Sequence, residues 1–215
     1  KKGAFGDKPF RINRKGIGKS FEITVQGVAA HGAMASKGLN AISILMEFLG
    51  RLNFANDDTN DFIGFYNDCI GYDLAGERIG CNFRDEPSGD LVFNVGKIQL
   101  DKQSVELTIN IRYPVTSSDE KVYAGIMSVV EKYGLGIVKN QHQLPIYIAS
   151  DEPLIETLMD VYRSQTGDYD SRPLVIGGGT YARSMDGIVA FGPCFPGDAE
   201  CAHQANEKIS ISSLM

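Results

Sequence analysis

The chain has 215 residues, 43% of them hydrophobic and 22% charged, a globular composition with material for a sizeable core. Its formal net charge of −6 argues against nucleic acid, which is bound through clustered Lys and Arg. No apolar run approaches the ~20 residues of a membrane span and no secretory leader pattern is visible, so a cytoplasmic protein is expected.

The basic stretch from Lys1 through Arg11, Arg14 and Lys15 to Lys19 reads as a solvated entry segment. Phe21, Ile23 and Val25 then alternate with Glu22, Thr24 and Gln26, the period of a half-buried strand. A loop of small residues, Ala29-Ala30-His31-Gly32-Ala33, follows. Leu39, Ile42, Leu45, Phe48, Leu49 and Leu52 recur at helical spacing. Residues 62–70 read as a second helix, against which Gly64 and Gly71 weigh. Residues 73–90 look like an irregular excursion.

Two strands come next. Residues 91–100 alternate with a slip at Gly96-Lys97 that predicts a bulge. Val105, Leu107, Ile109, Ile111 and Tyr113 line one face of the second strand, Glu106, Thr108, Asn110 and Arg112 the other, and Pro114 ends it. Ser117 with Glu120 reads as a capping box for a helix that Gly134 stops, and residues 136–148 read as a last strand. This order is a split βαβ, ferredoxin-like arrangement, helices on one face of an antiparallel sheet.

From residue 150 a different unit begins. Ser150 is expected to cap a helix with Pro153 in its first turn and Gly167 at its end. Residues 174–176 and 188–191 read as short strands buried on both faces, and Asn206 as the cap of a helix starting at Glu207. This is too little for an independent core, so the unit needs a partner. The organisation is an entry segment over 1–19, one domain over 20–149 and a second piece over 150–215.

Three histidines can each be weighed. His142, between Gln141 and Gln143, reads as a surface residue; His31 alone reads as structural or exposed; His203, just before Glu207, has no stated task by itself. Gly177-Gly178-Gly179-Thr180 could converge N–H groups on an anion, or form a tight turn. It is not a P-loop, because the Lys-Ser/Thr ending is missing. Arg112 stands on the polar strand face, suited to bidentate capture of a carboxylate or simply solvated. Cys69, Cys81, Cys194 and Cys201 contain no C-x-x-C pair and read as free thiols in a reducing compartment.

Taken together, Gly27-Val28-Ala29-Ala30-His31-Gly32-Ala33 with Gly38-Leu39-Asn40-Ala41, then Asn110-Ile111-Arg112-Tyr113-Pro114, then Gly177 to Arg183, then His203-Gln204 with Glu207 resemble the zinc metallopeptidase family of carnosinases, aminoacylases and desuccinylases. The resemblance is nearest to the bacterial Xaa-His dipeptidase branch. It implies an α/β fold: an α+β, ferredoxin-like lid over 20–149 and the C-terminal piece of an α/β zinc-peptidase catalytic domain over 150–215. It implies two zinc ions, or manganese or cobalt in their place, with His203 as the last ligand. His31 would donate to the developing oxyanion, and Arg112, Gly178, Gly179, Thr180 and Arg183 would hold the substrate's C-terminal carboxylate.

The family draws its other ligands from a His-x-Asp segment, an aspartate and a Glu-Glu pair. This chain has neither His-x-Asp nor adjacent Glu-Glu, and Asp85-Glu86, Asp119-Glu120 and Asp151-Glu152 suit turns or caps. The expected partners are therefore a dipeptide and an N-terminal catalytic part of the same protein, and the chain alone is expected to bind zinc poorly and leave peptides intact. The alternative is a non-catalytic ferredoxin-like module that binds amino acids or mediates dimer contacts. Phosphate binding by the glycine run is disfavoured by the missing lysine.

Overall fold

The structure, a computed structural model, describes residues 10–15, 20–198, 201 and 206–213. The chain divides into two compact units, residues 1–143 and 144–215.

In the first unit, β1 (Phe10–Lys15) and β2 (Ser20–Val25) pair antiparallel, from Phe10 opposite Val25 to Lys15 opposite Ser20. The basic entry segment thus contains a strand, and the alternation of Phe10 and Ile12 with Arg11 and Asn13 was the sign of it. α1 (Ala41–Leu49) starts where Asn40 Oδ1 accepts from the Ile42 N–H at 2.9 Å, satisfying one of the helix's orphan donors. α2 (Asp57–Cys69) is capped by Asn56 and carries Asp57 and Asp58 at the positive end of its dipole. Gly64 lies within this helix and Gly71 beyond it, at φ 54°.

The excursion after α2 contains a short hairpin, β3 (Arg84–Asp85) with β4 (Gly89–Asp90). β5 (Val92–Leu100) and β6 (Val105–Arg112) form the longest ladder, with the register shift between Val95 and Lys97 that Gly96 announced. α3 (Asp119–Val130) is capped by Ser118, whose Oγ accepts from the Lys121 N–H, one residue later than the capping box predicts. Gly134, at φ 67°, ends the short 3-10 turn that continues it. Helices and antiparallel strands thus build the expected α/β lid, with strands pairing two by two.

The core lies where α1, α2, α3 and β5 meet: Met46, Phe65, Tyr66, Phe93, Val95, Val122 and Ile126 are all buried. Each such side chain contributes about 1.5–3 kcal/mol on leaving water. A smaller cluster of Ile44 and Phe48 packs with Ile23 and Val25 of β2. The predicted strand over 136–148 is absent. Side chains fasten that segment instead: Lys139 pairs with Asp119, and His142 Nε2 meets Tyr113 Oη at 2.7 Å.

In the second unit, α4 (Pro153–Thr166) begins on Pro153 and ends at Gly167, φ 72°. Glu152, not Ser150, occupies the cap, without a side-chain bond. The predicted strands at 174–176 and 188–191 and the helix from Glu207 are not formed among the described residues. Leu174, Val175 and Ile176 are 86%, 57% and 58% exposed, and among the described residues no ladder neighbour buries the apolar run.

Candidate functional site

His31 is set by a closed loop. Val28 and Leu39 exchange both backbone bonds at 2.9 Å, pinching off residues 28–39. Gly38 makes this closure possible: a Cβ there would lie 2.6 Å from the Val28 carbonyl oxygen, and one on Gly27 would strike that of Leu39. Within the loop His31 caps the 3-10 turn of residues 32–37, its Nδ1 accepting from the Ala33 N–H at 3.3 Å. With Nδ1 as acceptor, a neutral ring carries its proton on Nε2 and presents a donor there.

The loop is fastened to the β5–β6 ladder. Asn40 Nδ2 donates to the Val95 carbonyl at 2.8 Å. A Cβ on Gly32 would lie 3.6 Å from Arg112 Nη2 and 3.9 Å from Asn110 Oδ1. The backbone next to His31 therefore lies against the Arg112 guanidinium, and an imidazole donor, a guanidinium and an amide share one region of the first unit. Arg112 ends β6, opposite Val92.

Sequence reasoning missed the groups that hold this strand end. Asp85 Oδ1 accepts from Ser88 N and Oγ, both at 2.7 Å, and Oδ2 from Thr116 N and Oγ1, both at 3.0 Å. Partial desolvation pushes the Asp85 carboxyl up, but these hydrogen bonds outweigh it and bring it down to about 2. The readable signal was an aspartate three residues before a serine in a Pro-Ser-Gly turn. His142 is at the surface as predicted, yet its ring stacks on Tyr113 with centroids 5.9 Å apart, and Asp119 Oδ1 is 3.8 Å from its Nε2.

The other predicted residues lie in the second unit. Thr180 caps a 3-10 turn, Tyr181–Ser184, its Oγ1 accepting from the Ala182 N–H at 3.2 Å. Arg183 folds back so that a Cβ on Gly179 would lie 3.4 Å from its Nε, and its Nη1 donates to the Leu144 carbonyl at 2.8 Å. A Cβ on Gly178 would meet open space. His203 lies outside the described residues. Among the described residues no three His, Cys, Asp or Glu side chains gather as a metal site, and no helix is long and apolar enough to cross a membrane.

Comparison with known proteins adds two findings. The family model described as the peptidase dimerisation domain of the M20 type matches residues 12–136. Proteins named "Putative dipeptidase" match most of the chain. That of Staphylococcus epidermidis is 36% identical over 194 residues, covering 90% of this chain and 41% of the relative. That of Staphylococcus saprophyticus is 37% identical over 193 residues, with 89% and 41% covered, and one from Staphylococcus aureus is 36% identical over the same length. The chain thus spans less than half the length of these relatives.

Proposed function

This chain belongs to the M20 peptidase family, and from that premise we propose that it supplies the substrate-closing side of a metal-dependent dipeptidase acting on dipeptides with a free C-terminal carboxylate. The observation that carries this reading is the backbone beside His31 lying against the Arg112 guanidinium. An Nε2–H donor and a planar cation, so held, suit the two negative charges of such a reaction. Arg112 takes the terminal carboxylate bidentately. His31 donates to the scissile carbonyl oxygen as it gains charge, a bond stronger in the transition state than in the ground state. Gly178, Gly179 and Thr180 are assigned to the same carboxylate end of the substrate, and Arg183 joins them if its Nη1 releases Leu144.

Zinc is part of the proposal for the complete enzyme, as two ions that manganese or cobalt could replace, with His203 as this chain's ligand. The described residues do not make a donor set for it, so no step performed here is assigned to a metal. The remaining ligands are proposed to come from an N-terminal catalytic part of the same protein. Exposure of Leu174, Val175 and Ile176 supports a partner that completes the second unit. The four thiols, all unpaired, accord with a cytoplasmic setting.

The test is metal-dependent cleavage by the complete protein of a dipeptide and of its C-terminal amide. Strong preference for the free acid, lost in Arg112→Ala, supports the reading; equal cleavage of both by the unsubstituted enzyme overturns it. A second reading, a self-associating module without catalysis, is favoured by the dimerisation-domain match. It requires a concentration-dependent dimer in sedimentation and no dipeptide cleavage by the complete protein.

A further inference from the structure

We propose that Asp85, with Ser88, is a positioning residue for Arg112: it locks the strand end from which Arg112 projects and so prepares the guanidinium for a carboxylate. The inference rests on the assignment of Arg112 as the carboxylate clamp.

Val92 opposite Arg112 is the last register pair of the β5–β6 ladder. Beyond it the chain on the β6 side runs through Tyr113 to Pro114, which has no N–H to extend the pairing. On the β5 side it leads back through Leu91 to the β3–β4 hairpin. An unsupported ladder end frays, and a binding arginine placed there would have to be ordered each time substrate arrived.

Side chains continue the pairing where the backbone stops. Thr116 N and Oγ1 donate to Asp85 Oδ2, and the Val115 N–H donates to Ser88 Oγ at 3.0 Å. Ser88 Oγ in turn donates to Asp85 Oδ1 at 2.7 Å. The hairpin that carries them gains a further rung, Leu91 N donating to the Phe83 carbonyl at 2.8 Å, and the adjoining β5 is held by Phe93 N donating to the Leu74 carbonyl at 2.7 Å. The two segments flanking the Val92–Arg112 pair are therefore stitched together just past it.

A carboxylate is required, not merely a polar side chain. Both oxygens accept from donors, so an asparagine would turn its amide N–H groups toward Thr116 or Ser88 and lose one half of the lock. The shape of the site is kept, so Asp85→Asn removes that half of the lock with little other disturbance.

The experiment begins with the isotope-labelled full chain. Asp85→Asn is expected to speed amide exchange at Val115 and Thr116 about tenfold or more and to lower the heteronuclear NOE of the Arg112 Nε–H, with α2 core amides unchanged. In the complete metal-loaded enzyme the same variant should raise KM for a free-acid dipeptide about tenfold with kcat little changed, and leave KM for the C-terminal amide alone. Ser88→Ala, which keeps the carboxylate, should give the same pattern more weakly and serves if Asp85→Asn fails to fold. An unchanged KM in Asp85→Asn beside a raised KM in Arg112→Ala overturns the positioning role while the dipeptidase reading stands. An unchanged KM in Arg112→Ala overturns both.

Discussion

The place of Arg112 on its strand was legible in the sequence, because alternation alone sets it with Asn110 on the polar face, away from Ile111 and Tyr113. What alternation cannot supply is its company: the local closure between Val28 and Leu39 shapes the loop, and the approach of Gly32 to the guanidinium joins distant parts of the chain. In the complete enzyme Arg112→Ala should raise KM with kcat nearly kept, by about 1.5–3 kcal/mol for a lost charged hydrogen bond; steady-state kinetics on a free-acid dipeptide checks it. Cysteines divide just as sharply. Burial, with the charge of Asp73 adding, pushes the Cys81 thiol up to about 12, whereas Cys194 is exposed. Thiol titration at about pH 8 should label Cys194 quickly and Cys81 only on unfolding, since the thiolate is the reactive form.

Elements were legible where local chemistry decides them. The β6 alternation, the Gly96 bulge, Pro153 at the start of α4 and Gly134 and Gly167 at chain turns all come from rules that act within a few residues. Misread elements depend on distant partners. Residues 136–148 look like a strand by composition, but Lys139 and His142 find Asp119 and Tyr113, and the segment is held by side chains. One element contact is testable by a single methyl. Gly125 of α3 packs against Gly80, and a Cβ on Gly125 would overlap the Gly80 carbonyl. Gly125→Ala should therefore destabilise the first unit by about 1–3 kcal/mol despite alanine's better helix propensity, as read from the denaturant midpoint. The Asp85 lock has a pH signature as well. Its carboxyl is depressed on folding, so its contribution is complete above the ordinary carboxylate range and fades as pH falls through about 2. Acid unfolding of Asp85→Asn should be correspondingly less steep than that of the unsubstituted chain.

At the scale of the molecule, the two units differ in how well they bury their own apolar residues. The first has a continuous core from α1 to α3. In the second, Ile155 and Ala182 are the buried hydrophobics among the described residues, while Leu174, Tyr181 and Met185 stand open. The family model matches residues 12–136, within the first unit, and the chain spans less than half the length of the relatives it matches. In the proposed function the His31 loop serves the chemistry and does not merely fold. Its most direct test is kcat for dipeptide hydrolysis by the complete metal-loaded enzyme carrying His31→Ala. A fall of about 10²–10³-fold is expected, as for loss of one oxyanion donor, with KM and melting temperature nearly unchanged. Turnover equal to that of the unsubstituted enzyme would contradict it.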